Sequence, residues 1–173
     1  MMDGLEDARQ RRNLLERIGA RIPGFKGYLE REMRREVDKM QRDWLAEQVD
    51  RARGAMQGRI RDWSRSGNLA NLDLAASVDK LLDRFANRIR HADYGYTGFF
   101  DAVKIYEDEL DRLYAFDLAL GDTVEGLARR VDLLPGTASE PDLRSLLGAA
   151  EAADRQFDER ARVFEDVTRR GGR

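Results

Sequence analysis

The sequence predicts an all-α protein: an elongated, coiled-coil-like helical bundle of about five helices, one of them overlong. Three observations carry this prediction. Apolar residues recur at three- and four-residue spacing along most of the chain, the signature of one helix face. Charged residues make up 37% of the 173 residues and only 3 are proline, a composition suited to long helices with a large surface for their core. No run of strand length alternates apolar and polar residues, and β-branched residues are sparse.

The first helix is expected within residues 1–22, where Leu5, Ala8, Leu14, Leu15, Ile18 and Ile22 form a stripe between arginines. The stretch IPGFKGY then breaks the pattern. Ile22 precedes a proline and is pushed out of the helical region, and Pro23–Gly24 redirects the chain.

An overlong helix follows over 27–66. Forty residues would span about 60 Å at helical rise. Its stripe is Leu29, Met33, Val37, Met40 and Trp44; it resumes one residue out of phase at Leu45, Val49, Ala52, Met56, Ile60 and Trp63. Such a phase change marks either a bend or an exchange of packing partner. Gly54 and Gly58 stack on one face, where they would admit another backbone. Gly67 stands where a C′ glycine ends a helix, and Asn71 is a cap for the next one.

Residues 72–133 hold the central helices. The first buries Leu74, Val78, Leu81, Leu82, Phe85 and Ile89 and ends near His91 to Gly95. From Thr97 a helix or a pair of helices runs on, with Gly121 as a possible interruption. Pro135–Gly136 is the clearest turn. Ser139 and Asp142 form a capping-box-like start for a last helix over 139–170, with Leu143, Leu146, Leu147, Ala150, Phe157, Ala161, Phe164 and Val167 as its stripe. The whole chain, 1–173, is read as a single helical domain without internal repeat.

Composition excludes several functions. There is no cysteine, so disulfides, thiolate metal sites and cysteine nucleophiles are absent. With 31 basic against 33 acidic residues, the chain lacks the basic excess of a nucleic-acid binder. The start MMDGLEDARQRR has acids early and no following apolar stretch, so it does not read as a signal peptide. No apolar run approaches the roughly 20 residues that span a bilayer. A cytoplasmic location is therefore expected.

Two places invite a functional reading. EREMRREVDKMQRD, Glu30 to Asp43, holds five acidic and five basic residues, with Glu30–Arg34, Glu32–Arg35 and Asp38–Arg42 at contact spacing. Such a ladder is a solvated surface or a face toward another helix; its glutamates would repel phosphates. Beyond it, the face near Met56, Ile60 and Trp63 is expected to outrun its intrachain cover, and an exposed apolar face invites self-association.

The second place is RFANRIRHADYGYTGFF, from Arg84 to Phe100. Tyr94, Tyr96, Phe99 and Phe100 clamp a helix corner or form a docking pocket, with Arg88 among the basic neighbours. His91 is the one histidine. It lacks a nucleophile or a second histidine, so it reads as a structural or surface residue rather than a catalytic one. The protein-interaction candidates are thus Trp44, Met56, Ile60, Trp63, Arg88, Tyr94, Tyr96, Phe99 and Phe100.

Two stretches, IPGFKGYLEREMRREVDKMQRDWLAEQVD and NRIRHADYGYTGFFDAVKI, resemble those of a group of uncharacterised bacterial all-helical proteins. The similarity spans roughly residues 15–118. It implies a bacterial, all-helical, non-enzymatic protein and assigns no role to any residue.

The expected function is a non-enzymatic scaffold or adaptor that self-associates or docks a protein partner, without cofactor or metal. Two alternatives stand beside it. One is a carboxylate-based, metal-dependent enzyme or regulator using acids such as Glu107, Asp108 and Asp111 near Tyr106. The other is a nucleic-acid-associated regulator, which requires a contiguous basic stripe.

Overall fold

The computed structural model describes residues 3–22, 24, 31–92 and 107–171. Among them are five α-helices and no strand: α1 (Asp3–Arg21), α2 (Arg31–Arg65), α3 (Leu72–Arg90), α4 (Glu107–Asp132) and α5 (Glu140–Gly171). The fold is all-α, as the apolar periodicity requires. None of the described helices is long and apolar enough to cross a membrane. The corner aromatics Tyr94, Tyr96, Phe99 and Phe100 lie outside the described residues, as do Pro23 and the stretch 25–30.

The helices build two compact units, each assembled from distant parts of the chain. Unit 1 comprises 1–42, 93–120 and 158–173; unit 2 comprises 43–92 and 121–157. Helix α2 is continuous over 35 residues, about 52 Å at 1.5 Å per residue. The phase change between Trp44 and Leu45 is therefore not a break. It falls beside the unit boundary at Arg42–Asp43, where the helix exchanges one set of packing partners for another. Helix α4 likewise passes through Gly121 without interruption.

Unit 2 is a four-helix arrangement. From α2 it buries Leu45, Val49, Ala52, Met56 and Trp63; from α3, Val78, Leu82, Phe85 and Ile89; from α4, Val124, Leu127 and Val131; from α5, Leu143, Leu146, Ala150, Ala153 and Phe157. Leu74 and Leu147, expected in the core, are half-buried. Arg53 pairs with both Asp79 (3.2 Å) and Asp83 (2.5 Å), while Arg90 pairs with Asp50, so α2 and α3 run antiparallel. Arg59 donates to the Asp132 carbonyl and Trp63 to that of Gly136, so α2 and α4 run in the same direction.

The expectation that Met56, Ile60 and Trp63 outrun their cover is corrected here. Met56 is fully buried, Trp63 is buried and Ile60 is half-buried, all within one chain. The α4–α5 loop supplies what the sequence could not show: its Gly136 carbonyl accepts the Trp63 Nε1–H at 2.7 Å. Nor do Gly54 and Gly58 admit a backbone. A Cβ on Gly54 would meet nothing within 4 Å, and one on Gly58 only the Arg61 guanidinium at 3.8 Å.

The helix ends follow local chemistry. At the end of α2, Gly67 adopts φ +74, which an L side chain rarely tolerates. Asn68 N–H donates to Trp63 O (2.9 Å) and Gly67 N–H to Ser64 O (3.3 Å), the paired bonds of a Schellman stop. Asn71 does not cap α3 through its side chain; it sits at φ 66 in the left-handed region, which asparagine tolerates better than most residues.

At α5 the expected capping box forms. Asp142 N–H donates to Ser139 Oγ (3.3 Å), and Ser139 N–H donates to Asp142 Oδ2 (2.9 Å). The Ser139 side-chain and backbone hydrogen bonds hold the Asp142 carboxyl below its ordinary value. A depressed carboxyl supports the fold above the ordinary value and loses that support as pH falls through the lowered one. Ser139→Ala is expected to cost about 1 kcal/mol, read as a lower melting temperature. An unchanged melting temperature would show that α5 starts independently of this cap.

In unit 1, Ile18 and Ile22 from α1 and Leu113, Tyr114, Leu118 and Leu120 from α4 are buried. Arg21 reaches across to donate to the Leu118 carbonyl at 3.4 Å. Gly24 takes φ +82 at the turn where Pro23–Gly24 was expected to redirect the chain. This core also contains a buried cluster of three charged residues, Asp38, Asp117 and Arg160.

Candidate functional site

Two features stand apart from ordinary core and surface: two exposed leucines at one end of unit 2, and the charge cluster inside unit 1.

The leucines stand on two loops. The C-terminal end of α2 and the α4–α5 loop are joined by the Trp63–Gly136 bond, which brings the α2–α3 loop and the α4–α5 loop to the same end of unit 2. Each loop exposes a leucine: Leu69 is 65% exposed and Leu133 is 82% exposed. They are the only large apolar side chains so exposed among the described residues. Leu133 also borders a shallow depression lined by Leu134, Pro135, Leu146, Arg130 and Asp142. Leu133 and Leu134 are adjacent, and only Leu134 turns inward to the core.

A second depression, between α2 and α4 of unit 2, is lined by Gln48, Arg51, Glu125, Arg129 and Asp132. Its charges are of both signs and select neither an anion nor a cation. Among the described residues, no group of three or more His, Cys, Asp or Glu side chains is placed to hold a metal. Of the proposed carboxylate set, Asp111 is half-buried, while the side chains of Glu107 and Asp108 lie outside those described.

His91 is exposed at the end of α3, with Nδ1 2.9 Å from the Asn87 carbonyl. The same carbonyl already accepts the His91 backbone N–H at 3.0 Å, so the ring sits against the last turn of the helix in a structural position.

The predicted interaction residues are not brought together as one surface. Met56 and Trp63 belong to the core of unit 2, and Trp44 and Ile60 are half-buried. Arg88 points toward Asp154 of α5, with its Nη1 2.8 Å from Oδ1. The distance is that of an ion pair, but the N–H direction misses Oδ1, so charge attraction rather than a directed hydrogen bond joins those atoms.

The charge cluster in unit 1 joins three helices. Arg160 of α5 is 1% exposed, between Asp117 of α4 (2%) and Asp38 of α2 (3%). It grips Asp117 with two hydrogen bonds, Nε to Oδ1 at 2.7 Å and Nη2 to Oδ2 at 3.2 Å. Its Nη1 lies 2.9 Å from Asp38 Oδ1, again an ion pair without a directed hydrogen bond. Asp38 is also paired with Arg42 one turn on, at 2.9 Å, as the sequence spacing predicted. Buried Gln41 hydrogen-bonds Asp117. Burial pushes the Asp117 carboxyl up, and this outweighs the charge and hydrogen bonds of Arg160, which pull it down. A raised carboxyl favours folding most below the ordinary value, and that contribution is lost as pH rises through the raised one.

Sequence reading passed over Asp117 and Arg160 because charged residues were assigned to the surface. A signal was present: Asp117 is four residues after Leu113 and three before Leu120, and Arg160 is three after Phe157, so both stand on the buried stripes of their helices. Leu69 and Leu133 were passed over for the opposite reason, being apolar residues inside turn segments.

No protein-family model, curated protein or solved structure significantly matches this chain.

Proposed function

We propose that this chain is a non-enzymatic helical scaffold or adaptor that binds another polypeptide, a second copy of itself or a different protein, through the loop end of unit 2. The observation that carries the reading is the pair of leucines, Leu69 and Leu133, exposed at 65% and 82% on neighbouring loops while every other described large apolar side chain is at least partly covered. Large apolar side chains exposed at the same end of a unit are suited to being covered by a protein partner. A rigid four-helix unit presents such loops in a fixed geometry, which lowers the ordering cost of binding. The resemblance of the two corner stretches to bacterial helical proteins supports a bacterial, non-enzymatic reading.

The test is solution mass by light scattering over a concentration series, on the natural protein and on Leu69→Asp/Leu133→Asp. We expect an oligomer in the natural protein and a monomer in the variant, with unchanged helical content and melting temperature. If both are monomers, the two proteins are used in parallel to capture partners from a bacterial lysate. A partner held equally by both would sink the loop-end surface.

A further inference from the structure

We propose that the Asp38–Arg160–Asp117 bridge is a register lock, selecting one longitudinal position of α5 against α2 and α4 in unit 1. The argument begins with spacing. Along α5, buried Leu143, Leu146, Ala150, Ala153, Phe157 and Arg160 alternate three- and four-residue steps, with buried Asp154 beside this line. Along α4, Leu113, Asp117, Leu120, Val124, Leu127 and Val131 do the same. Along α2, Asp38 and Gln41 continue the line of Leu45. All three helices therefore carry a heptad-like seam, and each has one charged residue of the bridge on it. Apolar seams of this kind are degenerate, because sliding by one or two turns presents a similar face. A charged residue on the seam removes the degeneracy, since each slipped position would bury it opposite an apolar side chain.

The chemistry of the bridge suits selection better than stabilisation. The guanidinium fork meets Asp117 in a two-bond grip that fixes direction as well as distance. Its other side meets Asp38 at 2.9 Å without a directed hydrogen bond. Burial keeps the Asp117 carboxyl above its ordinary value despite Arg160, so taking these groups out of water is not fully recovered by their attraction. Apolar residues of similar size would fill the same space at lower cost, yet would leave the three seams free to slide.

The decisive variant is Asp38→Leu/Asp117→Leu/Arg160→Met in the full chain. We expect it to withstand urea at least as well as the natural protein. We also expect more than one set of amide cross-peaks and faster amide exchange along α2, α4 and α5 in both units, because each is one continuous helix that belongs partly to each unit. A single sharp set of cross-peaks with natural exchange rates would overturn the proposal. Should the triple variant not fold, Arg160→Lys decides. Lysine keeps the charge but cannot grip two carboxylates as a planar fork, so a register lock predicts doubled cross-peaks along the same three helices, whereas a single set shows that charge balance alone was needed.

Discussion

Arg160→Met should destabilise the protein by about 3–5 kcal/mol, the range for removing one partner of a buried ion pair. The side chain is 1% exposed and is shared by two carboxylates that are themselves buried. The two carboxylates do not suffer equally. Asp38 keeps Arg42, 2.9 Å away, and loses an ion pair without a directed hydrogen bond. Asp117 loses two hydrogen bonds, and its carboxyl is already raised by burial, so most of the loss falls there. Without Arg160 it should rise further. Protonation then relieves the penalty, so the deficit of the variant relative to the natural protein should shrink as pH is lowered through that raised value. Urea unfolding at several pH values measures this. A deficit below about 1 kcal/mol, or one that does not change with pH, would mean that water reaches these carboxylates in solution.

Phe85→Ala should cost a similar amount, about 3–5 kcal/mol for a buried phenylalanine. Phe85 of α3 and Phe157 of α5 are both fully buried. Their rings meet edge to face, with centroids 6.2 Å apart and planes at 67°. Removing either ring leaves a cavity that the rest of unit 2 can only partly fill. The edge-to-face contact itself should appear as a coupling of about 0.5–1.5 kcal/mol in a double-mutant cycle with Phe157→Ala. A cost under about 1 kcal/mol for Phe85→Ala would place the ring at the surface in solution and contradict the packing of α3 on α5.

Of the two features that stand out, neither was read from the sequence, and each for its own reason. The stripe of α2 was recognised residue by residue, but its cover comes from α3, α4 and α5 and from a loop far along the chain. Gly136 is 73 residues from the Trp63 that it accepts from. Exposure is a property of the assembled unit, and an apolar stripe alone cannot say whether it faces a partner or its own chain. Leu133 and Leu134 show this most sharply: neighbours with the same side chain, one 82% and the other 8% exposed. The buried charge cluster was hidden by a sound general rule, that charged residues face water, which fails where opposite charges pair in the interior.

The sequence by itself determined the all-α class, the helix ends at Gly67 and Ser139 and much of the core of unit 2. These are set by contacts within a turn or two of chain: the apolar period of α3, the αL glycine at Gly67, the Ser139–Asp142 box. What only the tertiary structure decided is which helix faces meet. The division of α2, α4 and α5 between two units, the covering of Met56 and Trp63, the joining of Asp38, Asp117 and Arg160, and the exposure of Leu69 and Leu133 all depend on contacts between residues far apart in the chain. Local chemistry chooses a helix because its hydrogen bonds close within four residues. It cannot choose a partner face, because that choice is made by burial shared among segments that the sequence places tens of residues apart.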